Sequence, residues 1–81
     1  KDFNLNASIF ISPNPTKGTV VIHAKEVYQV EIYNLLGQRI RLEKMNSKNN
    51  PSIDLHKEPS GIYYFKMKTN DGFALKKVIR L

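Results

Sequence analysis

The sequence predicts an all-β domain, an immunoglobulin-like sandwich of two antiparallel sheets built from about seven short strands. Two patterns lead to this fold class. β-branched and aromatic residues form short runs, and Gly, Pro, Asn or Asp interrupts these runs at close intervals. No segment carries a sustained helical periodicity. About seven strands at this spacing in 81 residues fit two packed sheets, and a partly open barrel is the second choice.

Length and composition restrict the classes of function. A chain of 81 residues forms one small domain with a thin core, and it has no cysteine for disulfides or thiolate metal sites. No apolar run approaches the ~20 residues of a membrane-spanning helix, and any conventional export signal is expected upstream of Lys1. The net charge of +6 is spread among interspersed acids. This distribution favours a solvated strand surface over a nucleic-acid partner.

The first two strands are separated by a proline-rich turn. Residues 8–12 hold a short apolar run, which Pro13 and Pro15 end because neither proline can donate a hydrogen bond to a sheet. Gly18 closes the turn. Residues 19–24 are rich in β-branched residues and alternate between two faces, as a strand does.

The next two strands predict a hairpin. Val27–Tyr33 and residues 38–45 alternate in character, and Asn34 and Gly37 bracket a tight connection in which Gly tolerates a positive φ. The alternation places five side chains inward: Tyr28, Val30, Ile32, Ile40 and Leu42. It places five polar or charged side chains outward: Gln29, Glu31, Arg39, Arg41 and Glu43.

Residues 46–51 carry no pattern and are expected to form a mobile polar loop. Ile53 and Leu55 then mark a short strand. A turn follows, in which Pro59 has a fixed backbone and Gly61 a permissive one.

The chain closes with a second hairpin. Residues 62–69 alternate with Tyr63, Phe65 and Met67 on one face, and Asn70-Asp71-Gly72 is a strong hairpin signal. In residues 73–81 the Lys76-Lys77 pair interrupts the alternation, so we expect a bulge or a switch of the buried face there.

The sequence offers little material for catalysis. It contains two histidines, three aspartates and four glutamates without a clustered pattern. His23 lies in a β-branched run and His56 at a strand end, where a satisfied or solvent-facing ring is expected rather than a metal ligand. The four glycines are isolated in turns and form no phosphate loop. We therefore expect no enzyme activity, no metal and no cofactor.

The four tyrosines leave a binding function open. Tyr28, Tyr33, Tyr63 and Tyr64 would suit a platform that stacks on sugars or bases. Strand alternation instead assigns Tyr28 and Tyr63 to the apolar face, and the Tyr33 ring is expected to cover a sheet end. Packing is the expected role of most of them.

Four turn and strand motifs occur in a fixed order. They are Pro13-Asn14-Pro15-Thr16-Lys17-Gly18, Ile32-Tyr33-Asn34-Leu35-Leu36-Gly37-Gln38, Pro59-Ser60-Gly61-Ile62-Tyr63-Tyr64 and Lys76-Lys77-Val78-Ile79-Arg80-Leu81. Together they resemble the type A C-terminal sorting domain carried by cargo of the type IX secretion system of Bacteroidota. The resemblance spans roughly Ile11 to Leu81. One departure is Ser12, since an aromatic or apolar residue often precedes the first proline in that family.

The resemblance assigns family-motif turns to nine residues: Pro13, Asn14, Pro15, Gly18, Asn34, Gly37, Gly61, Asp71 and Gly72. It implies an immunoglobulin-like sandwich that directs an upstream cargo from the periplasm across the outer membrane. Removal by a sortase-like signal peptidase usually follows, and the cargo is attached to the cell surface or released. The implied partners are the secretion machinery, that peptidase and the covalently linked cargo, with no nucleic acid and no membrane span.

The last strand is the expected recognition element, made of Lys76, Lys77, Val78, Ile79, Arg80 and Leu81. We expect it to be basic on one side and apolar on the other, and to offer a free edge for strand addition. Residues 1–8 are expected to be a linker from the cargo and residues 9–81 the sorting domain. Small residues suit a protease cleft, which makes Asn6, Ala7 and Ser8 the candidate cleavage region.

Two other functions remain open at the level of sequence. An immunoglobulin-like accessory or carbohydrate-binding module of a secreted enzyme would bind a ligand as an isolated domain. A structural spacer or adhesin repeat would tolerate changes in the last strand and carry further sequence beyond Leu81. A sorting domain must be terminal, so we expect Leu81 to be its last residue.

Overall fold

Two antiparallel sheets pack face to face in the computed structural model, which describes residues 8–81 and confirms the all-β sandwich. The seven strands are β1 (Phe10–Ser12), β2 (Thr19–His23), β3 (Val27–Tyr33), β4 (Arg39–Lys48), β5 (Ser52–Asp54), β6 (Gly61–Thr69) and β7 (Gly72–Arg80). The smaller sheet has the order β1-β2-β5 and the larger sheet β4-β3-β6-β7. This division into three and four strands is that of an immunoglobulin-like domain. Within residues 8–81, no helix is long and apolar enough to span a membrane.

The core lies between the sheets, where one face of β2 packs against the predicted apolar face of β6. Val20 and Ile22 are fully buried, and they face Phe65 and Met67 across the sandwich. Ile53 and Leu55, near β5, are buried as well. Side chains in these strands alternate between the core and solvent. The period-two pattern therefore predicted correctly which residues share a face.

A buried tyrosine fixes the turn before β6. The Tyr63 hydroxyl donates a hydrogen bond of 2.6 Å to the carbonyl oxygen of Pro59, four residues upstream. This arrangement is the tyrosine corner of immunoglobulin-like sandwiches. Burial raises the pKa of Tyr63, and the nearby carboxylate of Glu58 raises it further. The phenol therefore stays protonated and able to donate at neutral pH.

The prediction that Tyr28 faces the core is wrong. The pairing of β3 with β4 is irregular between Val27 and Gln29, so strand alternation fails at the start of β3. Val27 is buried in place of Tyr28. The exposed Tyr28 hydroxyl donates to Asn70 Oδ1 at 3.0 Å.

The predicted faces of β4 are correct at Arg39 and Ile40 but wrong at Arg41, Leu42 and Glu43. Ile32 pairs with Arg41 but Tyr33 pairs with Arg39, so Ile40 is an extra residue in the ladder. Directly paired residues share a face, so Arg41 and Glu43, paired with Ile32 and Val30, lie on the core side. Leu42 is turned outward and is 41% exposed.

Charged residues on the core side protect the edge of β4. Arg41 donates to the carbonyl oxygen of Asp54 at 2.5 Å and pairs with Glu43 at 2.7 Å. Edge strands often carry inward-pointing charges because these discourage pairing with a further strand. The exposed side of β4 is therefore a poor site for strand addition.

Residues 46–51 form strand and an ordered turn rather than the expected mobile loop. β4 continues to Lys48. Asn49 Oδ1 then accepts a hydrogen bond from the Glu26 amide at 2.9 Å, and Asn50 Oδ1 accepts one from the Ala24 amide at 3.0 Å. The sequence showed no pattern here because these partners lie in a distant turn.

The last hairpin contains neither the bulge nor the face switch that was expected. Its ladder runs without a shift from Gly61–Arg80 to Thr69–Gly72. Ala74 and Val78 are the buried residues of β7, whereas Phe73 and Leu75 share the outer face and are exposed. Ala74 is small and only weakly apolar, so the sequence did not show that Ala74 and Val78 form the buried face of β7.

We predict that Tyr63→Phe lowers the free energy of unfolding by about 1 kcal/mol, because it deletes one hydrogen bond while keeping the ring. Urea denaturation of both proteins measures this difference. Tyr64→Phe is the matched control, since the Tyr64 hydroxyl has no hydrogen-bond partner within residues 8–81. An equal loss in the two variants would contradict a stabilising role for the corner.

Candidate recognition site at the last strand

All four motifs meet at one end of the sandwich. Tyr33, Tyr64 and Lys77 are direct cross-strand neighbours, so the turns next to them in sequence and the final residues of β7 lie at the same end. Thr16 also pairs with Arg80 there. We call this the motif end. The Asp71-Gly72 turn lies at the opposite end of the larger sheet.

The first motif is hydrogen-bonded along the outer edge of β7. Asn14 Nδ2 donates to the carbonyl oxygen of Lys77 at 2.8 Å, and Asn14 Oδ1 accepts from the Ile79 amide at 2.9 Å. The Thr16 amide donates to the Ile79 carbonyl and the Thr16 carbonyl accepts from the Leu81 amide, both at 2.8 Å. We call these four hydrogen bonds the Asn14–Thr16 clamp.

The clamp explains why asparagine stands between two prolines. A primary amide both donates and accepts, so its side chain can replace one peptide group of a neighbouring strand. Pro13 and Pro15 have no backbone N–H and cannot extend a regular ladder. Aspartate would keep the acceptor for Ile79 but lose the donor to Lys77.

The expected free edge is therefore absent over residues 77–81. Four backbone groups there already bond to the clamp. A partner could add a strand at this position only by displacing Asn14 and Thr16. The prediction of an open edge is wrong because the cap comes from a segment 63 residues earlier in the chain.

Thr16 and Gly18 shape the turn that supplies the clamp. The buried Thr16 hydroxyl donates to the carbonyl oxygen of Thr19 at 2.9 Å and accepts from the Gly18 amide at 3.0 Å. A Cβ atom on Gly18 would lie 2.2 Å from the ring of His56. A side chain at Gly18 would therefore displace the His56 ring from this turn.

Hydrogen bonds from Arg80 connect β7 to the segment between β5 and β6. Its guanidinium donates to the carbonyl oxygens of Leu55 at 3.0 Å and His56 at 3.2 Å, and also to that of Leu81. The Arg80 guanidinium thus has three backbone oxygens as hydrogen-bond acceptors. Arg80 is therefore a structural cation in this site.

His56 stands beside this contact and is bound to Asp54. The His56 amide and ring Nδ1 lie 2.9 and 2.6 Å from Asp54 Oδ1. These contacts, the backbone amide first, hold the pKa of Asp54 below its usual value. Within residues 8–81, no group of three or more acidic, histidine or cysteine side chains could hold a metal ion.

A second rigid turn projects two leucines at the motif end. Asn34 Oδ1 accepts from the amides of Leu36 and Gln38, both at 3.0 Å, and Gly37 adopts a φ of +84° that favours glycine. Leu35 and Leu36 are 64% and 84% exposed. The predicted turn residues Asn34 and Gly37 thus fix the backbone, and the residues between them face solvent.

The side chains of the last strand differ in accessibility. Val78 is fully buried and Arg80 is occupied, whereas Lys77 is exposed and Leu81 is 56% exposed. Cross-strand pairing puts Lys76 on the core side with Phe65, and Lys77 and Ile79 on the outer side. The expectation of one basic and one apolar side is wrong, because each side carries both kinds of residue.

Two residues of the candidate cleavage region, Asn6 and Ala7, lie outside the described residues. Ser8 is exposed and lines a cleft of about 440 Å³ together with Asp71 and other residues. The chain therefore enters the domain at the end that holds the Asp71-Gly72 turn, opposite the motif end.

The outer face of the larger sheet holds a hydrogen-bonded acid. Glu31 accepts from the Tyr33 hydroxyl and from Gln29 Nε2, and Arg39 lies 3.9 Å away. The hydrogen bond from Tyr33 is the main cause that lowers the pKa of Glu31, and the same bond raises the pKa of Tyr33. Tyr33 thus lies at the end of β3, as expected, and its hydroxyl bonds back along the outer face of the sheet.

The fold and this site define a small all-β domain whose accessible groups suit recognition by a partner. The chain belongs to the secretion system C-terminal sorting domain family, whose model matches residues 10–80. Among curated proteins, no relative matches the chain significantly. Membership makes the domain a type IX secretion sorting signal, which implies interaction with that system and export across the outer membrane to the surface or the medium. The family is not known as catalytic.

Sequence reasoning missed the roles of Thr16 and Arg80. Both act through backbone partners far away in the sequence, which no local pattern encodes. The amide of Asn14 did leave a signal, because a polar side chain between two prolines cannot serve a regular ladder. The position of Asn14 between two prolines therefore predicted a turn, but not that the Asn14 side chain bonds to β7.

We predict that Asn14→Ala opens the clamp. Two hydrogen bonds are lost, so the free energy of unfolding should fall by about 2 kcal/mol. The Ile79 amide should exchange with deuterium at least about tenfold faster, while amides of the β3–β4 hairpin change little. Asn46→Ala is the control, since Asn46 is exposed and makes no side-chain hydrogen bond within residues 8–81. Unchanged protection of Ile79 would contradict the clamp.

We predict an acid-sensitive contribution from Glu31. Its pKa is lowered by folding, so its stabilisation is present above the usual glutamate value of 4.5 and is lost as the pH falls through the folded-state pKa. Urea midpoints measured from pH 6 to pH 2.5 should fall less steeply for Glu31→Gln than for the unaltered chain. Parallel curves would show that the Tyr33 hydrogen bond has no energetic effect.

Proposed function

We propose that this domain directs an upstream cargo protein across the outer membrane and is then removed by a sortase-like signal peptidase. The cargo remains attached to the cell surface or is released. The observation that carries the proposal is the family match over residues 10–80, which spans both the clamp and the last strand. The domain acts by being recognised and contributes no chemistry of its own.

The proposed contact residues are the accessible members of the last strand. Lys77, Ile79 and Leu81 lie where a partner can reach them. The other three predicted residues act indirectly, since Val78 packs in the core, Arg80 binds backbone carbonyls, and Lys76 lies on the core side. Recognition then depends on a folded surface rather than on an extended peptide.

The family-motif turns have a supporting role in this proposal. Asn14 sets the edge of β7, and Gly18 allows the turn to pack against His56. Asn34 and Gly37 hold the turn with the two exposed leucines at the same end. A partner that meets the motif end would therefore contact residues from several motifs at once.

The cleavage site is proposed to lie in the linker formed by residues 1–8. Ile9 is buried in the hydrophobic core, whereas Ser8 is exposed, which supports a domain boundary between them. A cut near Asn6, Ala7 and Ser8 would leave the folded domain intact. Mass spectrometry of the released cargo should find its new carboxyl end in this segment, and an end beyond Ile9 would refute the assignment.

We predict that export depends on the accessible residues of the last strand. A fluorescent reporter with its own inner-membrane export signal, fused to residues 1–81, should reach the surface or medium of a type IX competent bacterium. Lys77→Glu with Leu81→Ser should reduce export at least about tenfold, because both proposed contacts are altered while the backbone hydrogen bonds of the clamp remain.

The matched control is Lys68→Glu with Leu42→Ser, which makes the same changes at exposed positions away from residues 76–81. Substitutions are preferable to deletion of residues 77–81, because deletion removes the backbone partners of the clamp. Normal export of the Lys77 and Leu81 variant would refute the recognition site. Periplasmic retention of the unaltered fusion would refute the sorting function and favour an accessory binding module.

A further inference from the structure

A row of four side chains crosses the outer face of the larger sheet, one from each strand. Arg39 of β4 pairs with Tyr33 of β3, Tyr33 pairs with Tyr64 of β6, and Tyr64 pairs with Lys77 of β7. Neighbouring strands lie about 4.8 Å apart, so the row is roughly 14 Å long. Two tyrosines therefore stand between two cations, and we call this arrangement the cation–tyrosine row.

The face around the row is strongly basic. Besides Arg39 and Lys77 it carries Lys44, Lys66 and Lys68, and its one acid among the residues of these paired rows is Glu31. Five cations against one acid leave +4, which is most of the net charge of +6 of the chain. Glu31 accepts hydrogen bonds from Tyr33 and Gln29 and lies 3.9 Å from Arg39, while the half-buried Lys66 stacks over the Phe73 ring at 4.5 Å. The excess of cations makes this face attractive to an anion.

The row lies on an open surface. Arg39 and Lys77 are exposed, Tyr33 and Tyr64 are half-buried, and none of the four lines the cavities of about 440, 410 and 340 Å³ found elsewhere in residues 8–81. Three paired rows on four strands cover roughly 400 Å². A stable protein complex buries about 800 Å² on each partner. This face is small for such a complex and wide enough for one extended polymer chain.

We infer that the cation–tyrosine row binds an anionic polysaccharide. The two central rings would contact the apolar faces of successive sugars, and Arg39 and Lys77 would bind carboxylate, phosphate or sulfate groups at either side. Membership of the sorting family implies export to the cell surface or medium, where the common anionic polymers are glycans rather than nucleic acids. This binding goes beyond the sorting function and requires no secretion machinery, although Lys77 belongs both to the row and to the proposed sorting contact.

The purified 81-residue chain tests this inference by isothermal titration calorimetry. The probes are alginate oligosaccharides, neutral dextran oligosaccharides and an oligothymidylate. Alginate should bind with an affinity that decreases as salt is added, and dextran should not bind. Arg39→Gln with Lys77→Gln should weaken alginate binding at least tenfold. Lys17→Gln with Lys57→Gln removes the same charge at exposed positions elsewhere and should change it less than twofold.

A second pair of variants tests the rings. Tyr64→Thr should weaken alginate binding at least fivefold, whereas Tyr28→Thr, an exposed tyrosine outside the row, should leave it unchanged. Urea midpoints establish that each variant is folded. The inference would be overturned if alginate did not bind, or if oligothymidylate bound more tightly than alginate. It would also be overturned if the two double charge variants lost the same alginate affinity. The export assay is a separate measurement from the titration. Normal export without alginate binding would therefore refute polysaccharide binding by the row and leave the sorting function intact.

Discussion

The last strand depends on the side-chain amide of Asn14, which occupies the position that a neighbouring strand would otherwise take. Its oxygen and nitrogen bond to Ile79 and Lys77, and Thr16 continues the contact to Leu81. An outer edge strand with unpaired backbone groups invites association with other chains. The clamp removes that hazard over residues 77–81 and fixes the strand from which Lys77 and Ile79 project.

The clamp and three further contacts bring motifs that are distant in sequence together at one end of the sandwich. Arg80 joins the last strand to the chain after β5, the tyrosine corner fixes the start of β6, and Asn34 organises the turn after β3. Each contact holds one part of the motif end. In the proposed recognition surface, motif residues therefore divide into those that build the folded end of the sandwich and those that a partner can touch.

The sequence was sufficient where a strand keeps a regular alternation between core and solvent. β2 and β6 follow that rule: β2 alternates as predicted, and the predicted apolar face of β6 is buried. Prediction failed at Tyr28 and Leu42, because irregular pairing between β3 and β4 changes which side chains face inward. Bulges depend on the partner strand and leave little local signal. The clamp and the cation–tyrosine row were not predictable for a related reason: their members meet only through the strand order of the folded sheet.

The most direct test of the clamp's importance compares export at equal stability. The reporter fusion would carry either Asn14→Ala or a core substitution such as Ile53→Val, chosen so that both have the same measured free energy of unfolding. If the clamp presents the recognition surface, Asn14→Ala should reduce export well below that of the core variant. Equal export by the two fusions would contradict this role and reduce the clamp to one stabilising contact among others.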